Sequence, residues 1–164
     1  MPIQHASASR LSMTDALTIL HGSSTGNARR LAERLAQEAS LRGIPANTDC
    51  LSHFDCAQLA AIRRLTVVIG TWGDGEPPDA AKGFCSRLFA GEVPSLEHME
   101  FAVLALGDSC FRSFCGCGVK VDECLARHGA RRLLACRKLD AKYHHDFLHW
   151  KEEFLGLPLP ARTT

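Results

Sequence analysis

Apolar positions along the chain fall into two alternating patterns, short near-continuous runs and longer stretches with a period near 3.6 residues. The runs are ALTIL (16–20), ANTDCL (46–51), RLTVVIGTW (64–72), EFAVLALG (100–107) and RRLLACRKL (131–139), with the composition of buried strands. Between them the helical period is clearest over 26–43, where Ala28, Leu31, Leu35 and Ala39 share one face and Arg29, Arg30, Glu33, Arg34 and Glu38 take the others. Gly43 and Pro45 then stop that helix. Further helices are predicted over 79–90, 115–128 and 143–155, with a short one near 55–62. Residues 1–14 are polar and Ser-rich without a period, which predicts a flexible leader, one domain over 15–158 and a tail over 159–164.

Five strands alternating with helices predict an α/β fold, a doubly wound parallel sheet with helices on both faces. Such sheets bind ligands beyond the carboxyl ends of their strands, where the strand order reverses. The loops after strands one, three and four are therefore the places to look for chemistry.

Composition narrows the picture. With 164 residues, 46% hydrophobic and 23% charged, the chain has the proportions of a globular domain, and at this length about 70% of the unfolded surface is buried on folding. Collagenous, disordered and disulfide-scaffold classes are excluded. Nineteen basic against eighteen acidic side chains leave a formal charge of +1, so bulk electrostatics predict neither nucleic acid nor an anionic membrane as partner. Neither an export signal nor a membrane span is expected from the apolar pattern. The eight cysteines lie partly inside apolar periodic runs, which fits a reduced, cytoplasmic chain.

The first loop, His21-Gly22-Ser23-Ser24-Thr25-Gly26-Asn27-Ala28, runs small and hydroxylic residues straight into a helix. Unsatisfied helix-start amides with Ser, Thr and Asn donors make a phosphate cradle. The same residues also make an ordinary helix cap, and the loop alone does not separate the two. Neither a Walker-type lysine nor a G-x-G-x-x-G pattern is present, so a terminal monophosphate is the better match.

The second loop, Gly70-Thr71-Trp72-Gly73-Asp74-Gly75-Glu76, offers Trp72 to stack on a planar ring, with Gly73 and Gly75 letting peptide groups meet the ring edge. The third, Leu106-Gly107-Asp108-Ser109-Cys110-Phe111-Arg112-Ser113-Phe114-Cys115, offers Phe111 as cover for the other face. Core packing and a plain turn are the competing readings of each loop taken alone.

Taken together, the loops resemble the flavodoxin-like FMN domain of diflavin reductases, most closely that of the sulfite reductase flavoprotein subunit. The matching pieces are SSTGNARRLAE (23–33), GTWGDGEPPDAA (70–81), FAVLALGDSCFRSFCGCG (101–118), VDECLARHGARRLL (121–134) and LDAKYHHDFLHWKEEF (139–154). The resemblance implies a flavodoxin-like sheet of order 2-1-3-4-5, with FMN phosphate on 23–28, one side of the flavin ring on 70–73 and the other on 106–115. It also implies an acidic position at Asp140 close to the flavin loops.

Departures from the pattern are informative. Phe111 stands where the family usually has Tyr, and Trp72 replaces a frequent Tyr, which keeps the stacking faces. Family members are typically acidic around the flavin edge, whereas Arg112, Arg131, Arg132, Arg137 and Lys138 are expected to put positive charge near the corresponding loops. In diflavin enzymes an FAD- and NADPH-binding module follows, whereas this sequence runs to Thr164.

The expected function is electron transfer. FMN takes electrons from a separate FAD/NAD(P)H reductase and passes them to a haem or iron–sulfur protein, and no side chain acts as acid, base or nucleophile. Two alternatives share the site: a detached module of a sulfite-reductase-like enzyme, and a self-sufficient quinone or nitro reductase. A metal or disulfide switch at Cys110, Cys115, Cys117 and Cys136 with His144, His145 and His149 lacks the paired ligand spacing of zinc sites, so no metal is expected. A scaffold that has lost its flavin would not be expected to keep all three loops.

Overall fold

In the central strand β3 (Ile62–Ile69), Leu65, Val67 and Ile69 join one core while Val68 joins the other, and all four are fully buried. A strand covered on both sides explains why the sequence reads as a continuous apolar run. The computed structural model describes residues 14–158. The other elements, in chain order, are β1 (Thr14–Gly22), α1 (Asn27–Leu41), β2 (Ala46–Cys50), α2 (Lys82–Phe89), β4 (Glu100–Leu106), α3 (Gly116–Arg127), β5 (Arg131–Arg132), β6 (Arg137–Leu139) and α4 (His144–Leu155). Short 3₁₀ turns lie at Leu51–His53, Cys56–Ala61 and Asp79–Ala81.

All strands of the sheet are parallel, in the order β2-β1-β3-β4-β5, with β6 also paired to β4. This is the predicted 2-1-3-4-5 arrangement. Helices α1 and α4 cover one face, where Leu31, Leu35, Trp150 and Phe154 pack with Ile19 and Leu104. Helices α2 and α3 cover the other, where Phe84, Leu88, Val121 and Leu125 pack with Leu20 and Val103. Each such side chain taken from water contributes roughly 1.5–3 kcal/mol before entropy is counted. Gly118 fixes how closely α3 sits, because a Cβ there would fall 2.3 Å from Ala105 Cβ on β4. The close approach sets the start of α3 directly behind the strand ends.

Several predicted boundaries shift. Strand β1 takes in Thr14 and Asp15 ahead of the expected start at Ala16, while residues 1–13 of the predicted leader and the tail 159–164 lie outside the described residues. Strand β3 ends at Ile69; the Gly70 amide still donates to the Gly22 carbonyl at 2.9 Å, and beyond it Trp72 and Glu76 exchange backbone hydrogen bonds of 2.6 and 2.9 Å in a hairpin of their own. The predicted fifth strand is broken in two. Arg131 aligns with Glu100 but Arg137 aligns with Leu104, so two extra residues are looped out between β5 and β6. Half-buried Leu133 and Leu134 pack there against the α1/α4 core. Among the described residues no helix is long and apolar enough to cross a membrane.

Candidate functional site

The three loops predicted to carry chemistry meet at the carboxyl ends of β1, β3 and β4, around a cavity of about 310 Å³. The first loop contributes Ser23, Thr25 and Asn27 to its lining. Ser23 Oγ accepts from the Ala28 amide at 3.1 Å, and Thr25 Oγ1 from the Asn27 amide at 3.4 Å. The amides of Ser24, Thr25 and Gly26 find no acceptor among the described residues. The loop is thus both a helix cap and a set of unspent donors at the start of α1, the chemistry of an anion cradle. Gly26 is the N-cap residue, Ser24 is exposed, and Ala28 is buried in the α1 core with only its amide turned to the loop.

From the second loop Gly70, Thr71 and Gly73 line the cavity. Thr71 Oγ1 accepts from the Cys117 amide at 3.2 Å, tying the loop to the first turn of α3. Trp72, between two lining residues, is 58% exposed, and Phe111 on the third loop lines the cavity at 54% exposed. Both depart from the packing expected of core aromatics; among the described residues the only other large hydrophobic side chain so exposed is Leu41. Gly75 does not line the cavity; it packs against the third loop, where a Cβ would meet Ser113 Cβ at 3.0 Å.

The third loop lines the cavity with Leu106, Gly107, Asp108, Ser113, Phe114 and Cys115 as well as Phe111. Cys110 and Arg112 are exposed and outside the lining. The Cys110 amide donates to Asp108 Oδ1 at 2.9 Å, and hydrogen bonding to that carboxylate holds the Cys110 thiol above its ordinary range. Cys115 adopts φ 58° at the N-cap of α3, a conformation uncommon for a residue with a Cβ. Its thiol donates to the Ala105 carbonyl at 3.1 Å, and burial pushes its pKa up to about 11, so it stays a protonated donor.

Asp140 lines the cavity from the turn after β6. Its Oδ1 accepts from the Ser109 amide at 3.0 Å and the Ala141 amide at 2.7 Å, which places Ser109 behind the lining. Sequence reasoning missed two lining residues, Ala141 and Tyr143. It also placed His21 in the first loop without a role; the structure buries it at the end of β1 beside a second cavity of about 400 Å³ shared with Arg29, Glu33 and Asp49. Burial first, and the Arg29 charge second, lower the His21 pKa below its ordinary value.

The expected positive charge resolves differently. Arg131 and Arg132 sit at the amino end of β4, opposite the site, where they pair with Glu100 and Asp122. In a parallel sheet the start of a strand lies far from its neighbours' carboxyl ends. Arg137 pairs with Glu153 at 3.3 Å. All eight cysteines are free thiols, and among the described residues no group of His, Cys, Asp and Glu is arranged to hold a metal ion.

Comparison with known proteins gives the family and the fold. The flavodoxin family profile matches residues 19–150. The chain belongs to the flavodoxin family. Among curated relatives it is 37% identical over 139 residues to the sulfite reductase [NADPH] flavoprotein alpha-component of Bacillus subtilis, covering 85% of this chain and 23% of the relative. It is 34% identical over 161 residues to the same component of a Shewanella species, covering 98% and 27%. The chain therefore spans about a quarter of the length of these relatives. Among solved structures, a cysteine-to-serine variant of flavodoxin from Pseudomonas aeruginosa superposes with a TM-score of 0.75 at 28% identity, covering 85% of this chain and 96% of that one. Flavodoxin 1 from Bacillus cereus shares the fold at a TM-score of 0.75 and 19% identity, with 87% and 99% covered.

Proposed function

We propose that this flavodoxin-family chain holds FMN in the cavity at the strand ends and serves as an electron-transfer flavoprotein. The observation that carries the reading is one cavity lined at one end by the hydroxylic loop at the start of α1, where Thr25 keeps an amide without an acceptor among the described residues, and at the other by exposed Phe111, with exposed Trp72 between the lining residues Thr71 and Gly73. A cavity of about 310 Å³ falls in the size range of cofactor sites. Its donor set suits a phosphate, and its aromatic end suits a planar ring. The residues present fit the group.

In this reading Ser23, Ser24, Thr25, Gly26, Asn27 and the Ala28 amide hold the phosphate. Gly70, Thr71, Trp72 and Gly73, with Gly75 bracing the loop, form one side of the ring site. Leu106 through Cys115 form the other, braced by Asp140. Bound FMN supplies the redox chemistry, exchanging one or two electrons. The chain's share is to stack Trp72 and Phe111 on the ring and keep one edge near solvent. Gly73, at φ 53°, lets its peptide turn toward a ring nitrogen that carries a proton without a Cβ in the way.

A separate FAD/NAD(P)H reductase is the proposed donor and a haem or iron–sulfur protein the proposed acceptor. Similarity to one quarter of the sulfite reductase flavoprotein component also supports a second reading, a module of a larger assembly of that type. The eight free thiols support a reducing, cytoplasmic setting.

The test is an absorption spectrum of the purified protein, followed by anaerobic addition of NADPH alone and then of an external reductase. The reading predicts a yellow protein that releases FMN on denaturation and is reduced only when the reductase is present. A colourless protein that refuses added FMN would overturn it, and rapid reduction by NADPH alone would favour a self-sufficient reductase.

A further inference from the structure

Beside the flavin cavity lies a wider cleft of about 800 Å³, distinct from the one at His21, between the first turns of α1 and the start of α4. The two share Asn27, Ala141 and Tyr143, so whatever occupies the cleft lies one side chain away from the proposed flavin site. Its charged lining is basic: Arg30 and Arg34 from α1, and Lys142 ahead of α4, with His144 and His145 beside them.

Among the described residues these cations have no carboxylate counter-ion. Arg30 donates to Asn27 Oδ1, a neutral acceptor. Arg34 reaches across to His144 Nδ1 at 3.4 Å and lies over the Phe147 ring at 5.4 Å. No carboxylate pairs with Arg30, Arg34 or Lys142 among the described residues. The carboxylates of the same helices are engaged elsewhere, Glu33 with Arg29 and Glu38 with Arg42 and Lys151, or lie outside the lining, as Asp146 does. Arg30 and Arg34 stand one helical turn apart, where like charges repel. Across the flavin cavity the balance is opposite, with Asp74 and Glu76 on the Trp72 hairpin and Asp108 on the third loop outnumbering Arg112. An acidic surface is drawn to the α1/α4 side and repelled from the hairpin, which sets one orientation.

We propose that this cleft is the docking surface for an acidic protein, the redox partner that exchanges electrons with the flavin. The electron-exchange part rests on the FMN reading above; the docking part stands on the charge arrangement alone. Arg34 and Lys142 carry the recognition and lie outside the proposed cofactor contacts, whereas Arg30 is tied to Asn27 and is left intact in the test.

The probe is an acidic b-type cytochrome haem domain, titrated into isotope-labelled FMN-loaded protein by NMR, with a basic c-type cytochrome and inorganic tripolyphosphate as comparisons. The proposal predicts shifts at the amides of the cleft and an affinity for the acidic cytochrome that falls about tenfold or more between low salt and about 0.2 M. Arg34→Glu with Lys142→Glu abolishes the binding, and the Gln pair weakens it severalfold, while FMN affinity stays at the wild-type value. Preference for the basic cytochrome, shifts confined to the Trp72 hairpin, no shift, or unaltered binding by the Glu pair would each overturn it. So would tripolyphosphate alone moving the cleft amides, which marks a small-anion site. The same titration on flavin-free protein reads the surface if FMN fails to bind, so a failure of the flavin reading is seen separately.

Discussion

The backbone amide of Ser109 donates to Asp140 Oδ1 at 3.0 Å, joining the loop after β4 to the turn after β6 across 31 residues of chain. One carboxylate thus braces two walls of the cavity. Hydrogen bonds from Ser109, side chain first and amide second, and from the Ala141 amide hold the Asp140 carboxyl below its usual value of 3.8. A lowered carboxylate pKa adds stability that is fully present above the ordinary value and lost as pH falls through the folded one. Acid titration of the FMN-loaded protein is therefore expected to keep this brace until the pH drops below about 4. Asp140→Ala, which removes both hydrogen bonds, is expected to weaken FMN binding about tenfold at neutral pH, and Asp140→Asn less, because its amide oxygen still accepts. Fluorescence titration with FMN reads both.

Trp72 and Phe111 are exposed by 58% and 54%, so neither supports the core. Replacing either with Ala is expected to leave the melting temperature of the flavin-free protein within a degree or two. Each change should weaken FMN binding by about 1 kcal/mol or more, the scale of an aromatic contact beyond its area. Calorimetric melting beside FMN titration separates the two effects. A loss of stability without loss of affinity would return these side chains to packing.

Gly118 behaves in the opposite way. A Cβ there falls 2.3 Å from Ala105 Cβ, near the carboxyl end of β4. Gly118→Ala must push α3 off the sheet, and overpacking of this kind costs about 1–3 kcal/mol. Urea unfolding of the flavin-free protein measures it, with a lower midpoint and an unchanged slope expected.

His21 is buried at the end of β1, and its folded pKa lies below the ordinary 6.5. Below pH 6.5 the unfolded chain takes up a proton that the folded protein refuses, so stability falls as pH drops from 6.5 toward the folded value. Above that window His21 contributes no pH dependence. His21→Asn is expected to flatten the stability profile between about pH 6.5 and 5. Denaturant midpoints across that range decide it; an equally steep profile in the variant would assign the dependence to other groups.

The elements most legible in the sequence are those whose side chains meet only the core. Strands β3 and β4 read directly as apolar runs, and the face of α1 was set by Ala28, Leu31, Leu35 and Ala39. The edge of the sheet was harder, because the 131–139 run contains enough Leu and Ala to look like one strand. Its break depends on a register with β4 that local pattern does not encode. The same holds for Arg131 and Arg132, near the site in chain order yet at the far end of the sheet. At the site, the glycine, hydroxyl and aromatic loops were visible because breakers interrupt apolar runs. Tyr143 was not, since it stands alone between Lys142 and His144 ahead of a helix whose buried face begins at Phe147. His21 reads in the sequence as the head of the first loop, and only its burial at the end of β1 singles it out.

In the proposed site the three loops together hold one FMN, with its phosphate on the first loop. The most direct measurement of this is the fluorescence quenching of FMN and of riboflavin by the flavin-free protein, run side by side. The account predicts saturable quenching at one FMN per chain, and riboflavin weaker by about a hundredfold, since it lacks the phosphate that the Ser24, Thr25 and Gly26 amides would bind. Equal affinity for the two flavins, or no quenching by either, would contradict it.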